Sequence, residues 1–177
     1  MNPGETLTRW TVRIALACYT VAMACWWRRR DRLAGLAWTT GCLGYLAHVA
    51  AAFHFYHGWS HQAAWQETAR RTADLMGWSW GGGLYWNYAF TLVWVADAVW
   101  WWRDAARYHQ RRRWVTAVVH AFLGFMIFQG AVVFASGAVR WLGLIATLAA
   151  GLKTFHAAGA RQKSGGVGGP PQLSSRA

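Results

Sequence analysis

Residues Leu33 to Tyr56 read LAGLAWTTGCLGYLAHVAAAFHFY, with no Lys, Arg, Asp or Glu anywhere in the run. A helix needs about 20 residues to cross the hydrocarbon core of a bilayer, so this stretch is long enough to do so. The rest of the chain shares its bias. Of 177 residues, 55% are hydrophobic and 15 are Trp, against 18 Lys plus Arg and only 6 Asp plus Glu, a balance rarely met in a soluble domain of this size. A mean hydropathy of +0.11 understates the case, because the scale scores Trp poorly and the arginines stand outside the apolar runs.

Outward from that stretch, four more apolar runs can be drawn, giving expected spans at about 10–27, 33–56, 84–102, 114–134 and 138–155. The fourth and fifth are separated only by Ala135, Ser136 and Gly137, and if that turn does not form the count falls to four. The expected fold class is therefore all-α, a polytopic membrane helical bundle of five transmembrane helices, with residues 157–177 as a Gly-, Ser- and Pro-rich disordered tail.

The +12 net charge excludes less than it suggests, since the basic residues are not spread over one face as nucleic-acid binding requires. They cluster between apolar runs: Arg28, Arg29, Arg30 and Arg32; Arg103, Arg107, Arg111, Arg112 and Arg113; then Lys153, Arg161, Lys163 and Arg176. Positive charge marks cytoplasmic loops, which sets the N-terminus outside and the C-terminus inside a cell inner membrane. Thirteen tryptophans fall near one interface or the other as anchors. "AMAC" at Ala22 to Cys25 resembles a signal cleavage site, but cutting there would leave WWRRRDR outside, against the charge rule. Cys18, Cys25 and Cys42 all lie within expected spans and are odd in number, which argues for apolar packing over disulfides.

Between the second and third runs, Ser60 is an expected N-cap, Gly77 an expected stop, and residues 61–76 an expected amphipathic interfacial helix. Trp65, Ala69, Thr72 and Met76 would form one face, and Glu67, Arg70, Arg71 and Asp74 the other, with Glu67 four residues before Arg71.

Three places carry chemistry. HFYHGWSH, His54 to His61, sets three imidazoles at the outer end of a span, and a transition metal (zinc, copper or iron) would find ligands in His54, His57 and His61, with Glu67, Asp74 or water as a fourth. The bland alternative is interfacial anchoring. His48 shares a stripe with Ala37, Gly41, Gly44 and Ala51, so it points into the bundle, where a hydrogen bond to a neighbouring helix competes with a functional role. Asp97 and His120 fall at matched depth on the third and fourth spans, a candidate proton-handling pair or a structural clasp.

Haem is disfavoured: His48 lies about 22 Å from the inner end of its helix and His120 about 9 Å from that of its own, so they cannot ligate one iron. Length, span number and tryptophan content resemble the tryptophan-rich sensory proteins, but that family sets prolines among its membrane tryptophans, whereas the prolines here are Pro3, Pro170 and Pro171, and the resemblance is not adopted. No nucleophile elbow, phosphate loop or catalytic carboxylate pair stands in the sequence. The readings left are a metal-binding or redox-associated membrane protein at the outer histidines, a non-enzymatic structural or assembly subunit with lipid, membrane-protein or homo-oligomeric partners, and a small transporter.

Overall fold

The computed structural model describes residues 3–130, and every regular element among them is helical. A compact unit ends at Ile127; a second begins at Phe128, of which only 128–130 are described. The end of the fourth expected span, the fifth span 138–155 and the tail 157–177 lie outside the described residues.

Helix α1 runs Pro3–Trp27 and α2 runs Asp31–Ala52. Pro3 suits a first turn, where its missing N–H is no loss. At the other end the Arg28, Arg29 and Arg30 amides donate to the carbonyls of Ala24, Trp26 and Cys25. Arg29 takes φ 59°, the left-handed cap usually filled by glycine. The short turn folds α2 back along α1, and small residues set the contact: a Cβ at Gly41 would lie 3.2 Å from that of Cys18 and 3.3 Å from the Ala15 carbonyl, while one at Gly44 would meet Ala15 at 3.5 Å. Gly41, Gly44 and His48 of the Ala37–Ala51 stripe thus face α1, as close helix approach requires.

Beyond α2 the chain widens into a π-turn at Phe53–His57, then leaves the helix through two left-handed residues, Gly58 at φ 53° and Trp59 at φ 59°. Ser60 caps α3, His61–Met76, its hydroxyl accepting from the Ala63 amide at 3.2 Å, and Gly77 ends it at φ 78°. One face differs from expectation. Ala64, Ala69 and Thr72 are buried, whereas Trp65 and Met76 stay largely exposed, because the small side chains let α3 lie close on α4 and the π-turn while the Trp65 indole rests against Gly81.

Helix α4 spans Gly83–Arg103, α5 Ala105–Gln110 and α6 Arg113–Phe128. The core between α1, α2, α4 and α6 holds Trp38, Trp94 and Leu123 fully enclosed, among Ala15, Ala22, Cys42, Phe90 and Ala98. Trp38 and Trp94, 5.3 Å apart between ring centres, are the two tryptophans that the interface pattern leaves unassigned. All three cysteines are free thiols.

Among the described helices one, Asp31–His57, is long and apolar enough to cross a membrane; Arg113–Phe128 is apolar but shorter. Glu5, Arg9 and Arg13 in α1, and Asn87 and Asp97 in α4, dilute the apolar character of those two.

Candidate functional site

Asp97 sits on α4 inside an otherwise apolar surround and is 5% exposed. A carboxylate there must find partners or lose its charge. Both of its oxygens are taken by the segment that follows α4. Asp104 caps α5, its Oδ1 accepting from the Arg107 amide at 2.9 Å, and this turns the chain so that Tyr108 and Arg111 point back toward α4. The Tyr108 hydroxyl donates to Asp97 Oδ2 at 2.8 Å, and the Arg111 guanidinium forms a charge-assisted bond to Oδ1. Arg111 Nε donates to Thr116 Oγ1 of α6 at 2.8 Å, and its Cζ lies 3.9 Å over the Tyr108 ring. Burial first, then the Asp97 charge, pushes the Tyr108 hydroxyl well above its ordinary range, which keeps it a donor.

The cluster therefore ties α4, α5 and α6 with charges withdrawn from solvent on both sides. The spacing of the sequence pointed to Asp97 but not to its partners. Arg111 reads as one more loop arginine, and a six-residue helix in a charged gap leaves no apolar period. The physical clue was the need of a buried carboxylate for a cation, for which the nearest supply in the chain is that gap.

His120 does not join this cluster through a hydrogen bond. Its ring lies 5.2 Å from that of Trp26 and 5.3 Å from that of Trp38, and its Nδ1 is buried with no partner among the described residues. A cavity of about 10 Å³ beside it, between Trp38, Trp101 and Tyr108, is walled almost wholly by carbon. That is room for one water at most, and far too little for a cofactor. The hydrogen bonds of Asp97 are thus those of an ion pair and a phenol, not of a proton shared with His120.

His48 Nδ1 meets the Thr8 carbonyl of α1 at 2.9 Å. A carbonyl can only accept, so Nδ1 carries the proton and the bond joins the two helices.

Each outer histidine rests on an aromatic neighbour. His54 packs on Phe55 at 4.7 Å, His57 on Phe53 at 5.6 Å, and His61 Nδ1 lies 3.0 Å from the Tyr88 hydroxyl. Among the described residues no three His, Cys, Asp or Glu side chains are grouped to hold a metal. Glu67 and Asp74, the expected extra ligands, instead pair with arginines: Glu67 with Arg70 and Arg71 at 2.8 Å each, and Asp74 with Arg70 at 3.0 Å. Those bonds hold the Glu67 carboxyl down to about 2. The wide π-turn at Phe53–His57 and the left-handed Gly58–Trp59 corner redirect the chain between His54 and His61.

No protein-family model matches the chain, and neither a curated protein nor a solved structure gives a match.

Proposed function

We propose that the chain is an integral membrane protein of five spans that serves as a non-catalytic structural or assembly subunit, with its N-terminus outside and its C-terminus cytoplasmic in a cell inner membrane. The observation that carries this reading is inverted polarity. Large apolar side chains stand outward on the long helices, Leu43 at 62% exposed and Leu92 at 69%, while the Asp97–Arg111 ion pair is enclosed. In water that arrangement would waste burial and leave an extensive sticky surface; in a bilayer both features are at home. The clustered arginines support the orientation.

As a subunit, the protein extracted in mild detergent migrates as a defined homo- or hetero-oligomer. A monodisperse monomer carrying stoichiometric metal would replace this reading with the second one. In a cysteine-free background, a cysteine at Gln62 reacts with an impermeant thiol reagent in intact cells and one at Gln110 only after lysis; the opposite pattern inverts the topology.

A second reading keeps zinc, copper or iron on His54, His57 and His61. It is favoured by the local backbone: a π-turn followed by Trp59, a bulky residue in the left-handed region, is the kind of strained feature that gathers at functional sites. It requires His61 to leave Tyr88 and the imidazoles to converge.

A further inference from the structure

An open groove of about 730 Å³ lies where α1 turns into α2 beside α5, lined by Met23, Trp26, Trp27, Arg29, Asp31 and His109. Half of it is apolar and half charged. The apolar half continues the flank of α1 and offers indole surface, Trp27 being 67% exposed. At the charged end Arg28, Arg29, Arg30 and Arg32 are exposed, and none of them forms an ion pair among the described residues. Arg29 holds the left-handed cap position that glycine would fill with less strain, which aims a cation where the turn itself has no use for one. One carboxylate, Asp31, opposes the four guanidinium groups.

We propose that this groove binds the headgroup of an anionic glycerophospholipid, its phosphodiester on Arg29 and its acyl chain along Met23, Trp26 and Trp27. The inference rests on the membrane reading above. Charge complementarity selects an anion, since basic pockets at the cytoplasmic ends of membrane helices suit acidic headgroups. The indole wall selects a lipid over a free ion, because a small phosphate would leave that surface unused, whereas tryptophans settle at headgroup level. The His109 ring adds a donor on the α5 side, and Asp31 weakens the site without reversing its sign.

The test is native mass spectrometry of the full chain released from nanodiscs holding equal amounts of phosphatidylglycerol and phosphatidylcholine. Phosphatidylglycerol is retained preferentially. Arg29→Gln lowers that preference about fivefold, the worth of one interfacial arginine, Arg29→Lys restores most of it, and Arg13→Gln leaves it unchanged. Asp31→Asn raises it. Equal retention of the two lipids overturns the proposal, as does displacement by millimolar glycerol phosphate, which would make the groove an ion site. A fall in retention with Asp31→Asn, together with preference for phosphatidylcholine, would assign it to a zwitterionic headgroup instead. Alkaline carbonate extraction of membranes from cells expressing the chain separates the two levels. Release of the protein overturns the membrane reading itself, whereas a protein that stays in the pellet but shows no lipid preference overturns only the groove.

Discussion

The molecule makes arginine–carboxylate pairs at two ends, and the two are built on opposite terms. On α3, Glu67, Arg70, Arg71 and Asp74 form a ladder along one exposed helix face, each bond local in sequence and open to solvent. At the α4–α6 connection, Asp97 and Arg111 are fourteen residues apart and enclosed, with Tyr108 and Thr116 filling the remaining hydrogen bonds. An exposed pair gains little because water competes for both charges and salt screens them. An enclosed pair gains little net of desolvation either, yet it is costly to break, because one partner's removal strands the other. The ladder adds to the stability of one helix; the enclosed pair fixes how three helices meet.

Breaking the enclosed pair has the largest expected effect. Arg111→Leu leaves Asp97 with only the Tyr108 hydroxyl and is expected to cost about 3–5 kcal/mol, read as a lowered thermal midpoint of the protein in detergent micelles. Asp97→Leu combined with Arg111→Leu recovers most of that loss, since no charge is then stranded. Equal damage in single and double variants would mean that Arg111 matters for its packing on Tyr108 and not for its charge.

Tyr108→Phe sharpens the same point. The ring and its contact with the guanidinium remain, and one hydrogen bond to a charged acceptor is lost, so about 1.5–3 kcal/mol is expected. A loss as large as that of Arg111→Leu would make the phenol, not the arginine, the principal partner of Asp97.

The two N-caps carry the comparison to a smaller scale. Ser60→Ala and Asp104→Ala each remove one capping bond, worth about 1 kcal/mol in the fold. At Ser60 the effect stays within α3. At Asp104 it spreads, because α5 aims Tyr108 and Arg111; hydrogen exchange is expected to quicken at α6 amides as well. Confinement of the Asp104→Ala effect to α5 would show that the cluster holds its own geometry.

How much of this was legible in the sequence follows the same divide. Local features read well: Ser60 and Gly77 bracket α3 because a cap and a left-handed stop act within one turn, and the small residues of the Ala37–Ala51 stripe announced a close neighbour. The Glu67–Arg71 pair is a matter of helical period alone. What did not read was anything set by tertiary return. Arg111 is one of five arginines in its gap, and nothing local separates the enclosed one from its solvated neighbours. Asp97 was visible as a buried carboxylate in need of a partner, and matched depth suggested His120, but the partner came from a connecting helix too short to show a period. Along HFYHGWSH, Gly58 marks the break that would fold His61 back toward His54 and His57, whereas the π-turn before it and the left-handed Trp59 after it have no compositional mark.

The smallest expected effect belongs to the exposed ladder, and its pH dependence gives the sign. Bonds from Arg70 and Arg71 hold the Glu67 carboxyl down to about 2, below the ordinary 4.5 that it regains when α3 unfolds. A depressed carboxyl stabilises the folded form when ionised, so the contribution is complete above about pH 4.5 and is lost as pH falls from there through 2. Because the pair faces solvent, its worth is that of an exposed ion pair, about 0.2–1 kcal/mol, and is screened further in molar salt. Hydrogen exchange at α3 amides is therefore expected to quicken modestly below pH 4.5 in the wild type, and Glu67→Gln to be quickened to the same small extent at pH 6 while losing that pH response. The Glu67 bonds are all internal to α3, so α6 amides are expected to hold their protection in Glu67→Gln. Parallel loosening of α3 and α6 in Glu67→Gln at pH 6 would show that the ladder is coupled to the rest of the bundle, and the contrast between the two ends would collapse.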